Sequence, residues 1–177
     1  MKRTLFVLTT ILFFALALSS CKKDEVNNNG NNNGNNNGGG GTVAGYVDLG
    51  LPSGTKWNSA NETGGHDGLY TYDEAISAFG EKLPTKEQLE ELIANCTWVW
   101  QNNGYKVTGT NGNSIVLPAA GFRDCSGNVH DVYSYGVYWS SSPYGSENAW
   151  CFDFNSEEVD MIKFARCCGF SVRLVKK

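Results

Sequence analysis

Ala149-Trp150-Cys151-Phe152-Asp153-Phe154 reads as a strand. Successive side chains of a strand point to opposite faces, so Trp150, Phe152 and Phe154 share one side and Ala149, Cys151 and Asp153 the other. A face of large aromatics belongs in a core. The alternation therefore predicts Trp150 and Phe152 buried, and Cys151 and Asp153 solvent-facing.

Working outward, Gly136-Val137-Tyr138-Trp139 and the final Ser171–Val175 stretch also read as strands. Thr97-Trp98-Val99-Trp100 and Tyr105-Lys106-Val107-Thr108 flank Asn102-Asn103-Gly104, which predicts a hairpin. Asn111-Gly112 marks another turn, followed by a strand from Ser114 to Leu117 that runs into Pro118. Two helices precede these strands. One is short, Tyr72 to Phe79, with Ile76 and Phe79 on one face and Gly80 placed to end it. The second opens on Thr85 with Gln88 three residues on, a capping-box spacing. Leu89, Leu92 and Ile93 follow at helical spacing, and Glu87, Glu90 and Glu91 are expected to face water. Short strands, glycine turns and two helices make the fold class α+β.

Upstream, the chain reads as a leader. Lys2 and Arg3 precede an apolar run from Leu5 to Leu18. The run is shorter than the roughly 20 residues of a spanning helix, and it fits a signal peptide over residues 1–20. Leu18-Ser19-Ser20-Cys21 resembles a lipobox, which makes Cys21 the expected lipidation site and membrane anchor. Lys22-Lys23-Asp24-Glu25 resembles the charged tag of lipoproteins exported to the surface of Bacteroides-type outer membranes. Asn and Gly then fill the linker that completes residues 21–41. With no apolar residue after Val26, that linker cannot offset the entropy of ordering. Residues 42–177 have the length of one domain.

The formal charge of −4 argues against nucleic acid, whose phosphates call for a basic face. Setting Cys21 aside from the six cysteines leaves five, Cys96, Cys125, Cys151, Cys167 and Cys168. With an odd number, at least one thiol is free or paired with another chain; the pairing stays open. Nothing is spaced as a zinc site, and no cofactor is expected. His66-Asp67 and His130-Asp131 lack a nucleophile that would make either an acid–base couple. Asp153, Asn155, Glu157, Glu158 and Asp160 read as a solvated turn rather than a calcium site.

Tyr46-Val47-Asp48-Leu49-Gly50-Leu51-Pro52-Ser53-Gly54-Thr55-Lys56-Trp57 resembles the opening of the Fibrobacter-type major paralogous domain. Lys82-Leu83-Pro84-Thr85-Lys86-Glu87-Gln88-Leu89-Glu90-Glu91-Leu92 resembles its central helix. Tyr105-Lys106-Val107-Thr108-Gly109, Leu117-Pro118-Ala119-Ala120-Gly121, Tyr138-Trp139-Ser140-Ser141-Ser142 and Gly169-Phe170-Ser171-Val172-Arg173-Leu174-Val175 continue the likeness. The resemblance implies a C-type lectin-like fold, shared with formylglycine-generating enzymes. Those enzymes use a copper-binding cysteine pair. Cys167-Cys168 is not expected to act as one, because adjacent residues of an extended chain point to opposite faces, and no enzyme activity is expected.

Some of these lipoproteins resemble the variable proteins of diversity-generating retroelements, in which adenine mutagenesis converts AAC codons into NNC codons. Lys, Glu, Gln, Met and Trp cannot arise that way. Residues 122–168 are the expected variable region. The types that this route can make give a candidate ligand surface of Asp124, His130, Asp131, Tyr133, Tyr135, Val137, Tyr144, Cys151, Asp153, Asp160, Ile162, Phe164, Ala165 and Cys168. Trp150 and Met161 would be fixed core residues and Lys163 a fixed surface residue. The tyrosines supply contact area at low entropy cost, as in antibody loops. The expectation is a surface-anchored protein of the outer membrane that binds a protein or glycan ligand. The competing expectation is a fimbrial or surface-layer component with a fixed partner.

Overall fold

Thr71 and Thr85 start the two helices in the same way. Each hydroxyl accepts from the backbone N–H of the third residue on, Glu74 or Gln88, whose side chain returns to the threonine N–H. These reciprocal caps satisfy N–H groups that the first helical turn leaves unpaired. They open α1 (Tyr72–Phe79) and α2 (Lys86–Asn95). The computed structural model describes residues 45–177; the expected leader, Cys21, the Asn/Gly linker and the first residues of the domain lie outside the described residues.

Helix α1 buries Tyr72 and Ala75 and ends at Gly80, where a 3-10 turn, Gly80–Lys82, follows. Helix α2 buries Leu89 and Leu92. Glu87 and Glu90 face water. Glu91 departs from expectation: its carboxylate accepts from the Ser53 backbone N–H at 2.8 Å and the Ser53 hydroxyl at 2.6 Å. It pins the loop after Leu51 to the helix.

The strands are β1 (Tyr46–Asp48), β2 (Lys56–Asn58), β3 (Thr97–Trp100), β4 (Gly104–Thr108), β5 (Ser114–Pro118), β6 (Phe122–Arg123), β7 (Val129–His130), β8 (Gly136–Tyr144), β9 (Asn148–Phe154), β10 (Val159–Ala165) and β11 (Val175–Lys176). They form small antiparallel sheets in the orders β1-β2-β11, β3-β4-β5, β10-β9-β8 and β6-β7. The chain is thus α+β, as its sequence predicts. The β3–β4 hairpin is also as expected. Asn102 and Asn103 take φ of 50° and 59° in its turn, the left-handed pair that matches the twist of a two-residue hairpin loop. The predicted terminal strand is shorter than expected. Phe170 and Ser171 make single bridges to Tyr70 and Tyr138, and only β11 joins a ladder.

The sheet β10-β9-β8 is covered on both sides. Phe152 and Phe154 of β9 and Tyr138 of β8 pack into one cluster with Trp57, Leu89, Leu92, Tyr105 and Leu117. Ala149 and Cys151 of β9, with Val137 and Trp139 of β8, pack into a second with Tyr72, Leu83 and Phe170. This corrects the expectation for Cys151: it is fully buried, not solvent-facing. Phe152 is buried as predicted, whereas Trp150 and Met161 are only half-buried. Alternation correctly separates the faces of β9, but both faces are core because α1 and the Cys168–Val172 segment cover the second one.

Arg173 ties the carboxyl-terminal segment to the rest. It is 2% exposed, and its guanidinium donates to Asn61 Oδ1 (2.8 Å), Asn58 O (2.8 Å) and Val116 O (2.6 Å). Asn61 Nδ2 in turn donates to the Tyr138 hydroxyl at 3.0 Å, which donates to Pro118 O at 2.8 Å. Burial of the cation is compensated by one neutral acceptor at each guanidinium nitrogen. Among the described residues, no helix is long and apolar enough to cross a membrane.

Candidate functional site

The segment Gly121–Val137 builds an irregular surface from two short strands and the turns beside them. Phe122 and Arg123 form β6, the chain turns at Asp124–Gly127, and Val129 and His130 return as β7. Asp124 organises this turn. Its Oδ1 accepts from the backbone N–H of Ser126 (2.9 Å) and Asn128 (2.8 Å), and its Oδ2 meets His130 Nε2 at 2.9 Å. The His130 partner and these N–H donors hold the Asp124 carboxyl well below the usual carboxylate range. Asp124 and His130 are therefore bound to each other, and the His130 ring stacks on Phe122 with centroids 5.2 Å apart.

Beyond β7 the chain strains. Asp131 and Tyr133 have φ of 54° and 72°, left-handed values that are costly for a tyrosine. The surroundings enforce them. Tyr133 N donates to Ala119 O at 2.8 Å, Tyr135 N to Asp131 O at 3.0 Å, and Gly121 N to Tyr135 O at 2.7 Å. Gly121 is required here: it has φ of 72°, and a Cβ would sit 2.1 Å from His130 O. The result presents Tyr133 at 69% exposure.

Two clefts share this segment as a wall. The first, about 280 Å³, is lined by Phe122, Asp131, Tyr135, Val137, Phe164 and Phe170. The second, about 490 Å³, is lined by Val129, Val132 and Tyr133 from this segment, Asn102 and Asn103 from the β3–β4 turn, and Asp67, Leu69 and Pro118–Ala120. Every non-glycine residue of positive φ among the described residues (Asp67, Asn102, Asn103, Asp131 and Tyr133) lines one of the two. Asn102 and Asn103 hold the φ that a hairpin turn calls for, so the costly conformation is that of Tyr133, and a strained residue in a cavity wall is a pointer to function.

A row of side chains crosses β8, β9 and β10 beside the smaller cleft: Val137 pairs with Asp153, and Asp153 with Asp160. The Tyr135 hydroxyl donates to Asp153 Oδ2. Partial burial, then the charges of Asp160 and Glu158, raise the Asp153 carboxyl to about 6. Asp153 is half-buried and Asp160 exposed.

The structure thus brings together His130, Asp131, Tyr133, Tyr135, Val137, Asp153, Asp160 and Phe164 of the expected surface, with Val137 at a cleft floor rather than on the exterior. Ile162 and Ala165 are half-buried against the second core cluster, so Ile162 is less exposed than expected. Tyr144 lies elsewhere. It packs edge-on against Trp150, and Lys163 Nζ stands 4.3 Å from its ring centroid and 5.0 Å from that of Trp150. Lys163 is indeed a surface residue, held by cation–π contact.

Two further expectations are corrected. Cys168 is 4% exposed and sits beneath the surface, not on it. Cys167 and Cys168 also do not diverge. Arg166 and Cys167 form a turn closed by Cys168 N to Ala165 O (3.1 Å), so the extended-chain rule does not apply. Cys125 and Cys167 form a disulfide, and the sulfurs of Cys125, Cys167 and Cys168 all lie within 4.8 Å of one another. Cys96, Cys151 and Cys168 are free thiols. Sequence reasoning also missed Phe122, Phe170 and Asn102–Asn103 as cleft residues; the Asn-Asn-Gly turn was visible, but not where it docks.

These features define a mixed α+β domain whose strained loops frame a pair of open clefts. Residues 82–175, from the start of the α2 motif to β11, match the family described as domain of unknown function DUF8237, and the chain belongs to that family. No curated protein and no solved structure matches it.

Proposed function

We propose that this protein is a lipid-anchored binding protein of the bacterial outer-membrane surface. Its ligand, a protein or a glycan, meets the surface framed by residues 121–137 and β10. The observation that carries this reading is the convergence of Asp131, Tyr133, Tyr135 and Phe164 on two neighbouring clefts, with Tyr133 held at a strained positive φ in the wall. Aromatic rings and a few fixed polar groups in a concavity are the general makeup of ligand sites. Tyrosines on a rigid scaffold add contact area at small entropic cost. The chain's resemblance to the Fibrobacter-type major paralogous domain supports a C-type lectin-like fold, and the Leu18–Cys21 motif supports the anchor.

The same resemblance supports a diversified surface generated by a retroelement. The exposed positions His130, Asp131, Tyr133, Tyr144 and Asp160, with half-buried Tyr135, carry residue types that such mutagenesis makes. A second reading, an adhesin with one fixed partner, gains from the burial of Cys151 and Cys168, which removes two residues that had looked like products of randomisation. The DNA separates the two. A nearby near-copy of the gene's 3′ end that differs only at adenines, beside a reverse transcriptase gene, supports diversification. Absence of that template leaves the fixed-partner adhesin.

A further inference from the structure

The free Cys168 Sγ lies 3.4 Å from Cys125 Sγ, which is already bonded to Cys167. The arrangement is built by two turns. Cys125 follows Asp124 in the loop that Asp124 brackets, and Cys167 and Cys168 close the Ala165–Cys168 turn. Paired backbone bonds clamp the turns together, Arg123 N to Gly169 O (2.9 Å) and Gly169 N to Arg123 O (2.8 Å). Cys125 and Cys167 are exposed while Cys168 is buried.

We propose that Cys125, Cys167 and Cys168 form a thiol–disulfide exchange site that masks a surface thiol. The Cys168 thiolate attacks Cys125 Sγ, the Cys125–Cys168 bond forms and the Cys125–Cys167 bond breaks. The electron pair leaves on Cys167 Sγ, which takes up the proton that Cys168 released. Nothing is oxidised or reduced overall, and no co-reactant is needed. Before exchange the free thiol is buried and inert; afterwards it is the exposed Cys167, open to thiols and disulfides of other molecules. The contact is already near the sum of sulfur radii, so exchange needs a rotation of the Cys168 side chain within its turn rather than refolding. Burial, and then the Asp124 charge, push the Cys168 thiol up, which keeps its thiolate scarce and exchange slow at neutral pH.

The test maps the linkages of the mature wild-type protein. After hours at pH 8, the protein is denatured below pH 7, where exchange is slow, and all free thiols, buried ones included, are capped with N-ethylmaleimide. The protein is digested with pepsin in acid to stop scrambling and sequenced by mass spectrometry. The expected result is two populations, one capped on Cys168 and one capped on Cys167 with a Cys125–Cys168 bond. Capping on Cys168 alone, however long the incubation, overturns the proposal. Cys167→Ser gives a second readout: with glutathione disulfide as oxidant, a Cys125–Cys168 bond is expected and two thiols disappear. A natively folded Cys167→Ser protein that keeps both thiols also overturns it. The wild-type map requires no substitution, so poor folding of the variant does not shield the idea.

Discussion

The Tyr135 hydroxyl donates to the Asp153 carboxylate, tying the strained loop that walls both clefts to the central strand β9. This bond places a half-buried tyrosine ring at the smaller cleft and fixes the end of the loop that began at Gly121. It also sets a carboxylate beside Asp160, its cross-strand neighbour. Like charges directly opposite on a sheet are destabilising, and Asp153 carries that cost in a partly desolvated position.

Stability should therefore fall as Asp153 ionises. Its folded pKa, about 6, lies above the unfolded value of about 3.9. The folded state thus binds more protons between these values. The contribution from Asp153 is fully present in acid and is lost as pH rises through about 6. Asp153→Asn, which keeps an acceptor for Tyr135, should stabilise the protein at pH 7.5 by about 1 kcal/mol, a figure discounted for solvent screening at a half-exposed carboxyl. The gain should vanish near pH 4. Urea unfolding at both pH values measures it, and an equal effect at both would contradict the pKa assignment.

Gly109 should not tolerate a side chain. A Cβ there would lie 1.9 Å from Leu49 O, a backbone atom with no room to retreat. Gly109→Ala should cost more than about 2 kcal/mol, in the range of overpacked core sites. Thermal melts are enough to check this, and an unchanged midpoint would contradict the close approach of Leu49 to the β4–β5 turn.

Arg173→Met should destabilise by about 3 kcal/mol. It leaves Asn61 Oδ1, Asn58 O and Val116 O without their donor in a buried setting. Arg173→Lys should recover only part of the loss, because an ammonium cannot reproduce the planar fork. Equal stabilities for the two variants in chemical denaturation would contradict the network.

Much of the fold can be read locally. The Thr85–Gln88 capping box and the Asn102–Asn103 turn announce themselves because their physics spans a few residues. The burial of Cys151 does not, since alternation sorts side chains onto faces without saying what covers each face. Here the cover is Tyr70, Tyr72 and Phe170, far away in sequence. The burial of Arg173 is equally hidden, because its partner Asn61 is 112 residues away. At the clefts, Asp131, Tyr133, Tyr135 and Phe164 belong to the surface that the resemblance led one to expect, and all four are lining residues. The aromatic walls Phe122 and Phe170 were hidden, because apolar residues give no sign of whether they line a cavity or fill a core.

The most direct measurement is binding by the mature protein to glycan and protein arrays, compared among wild type, Tyr135→Ala, Phe164→Ala and Lys106→Ala, the last altering an exposed β4 residue outside both clefts. Each variant is first shown to be folded by circular dichroism. The expected result is that Tyr135→Ala and Phe164→Ala lose the wild-type signals by tenfold or more, a loss of about 1.4 kcal/mol, while Lys106→Ala keeps them. Retention of those signals by both cleft variants would contradict a binding role for this surface.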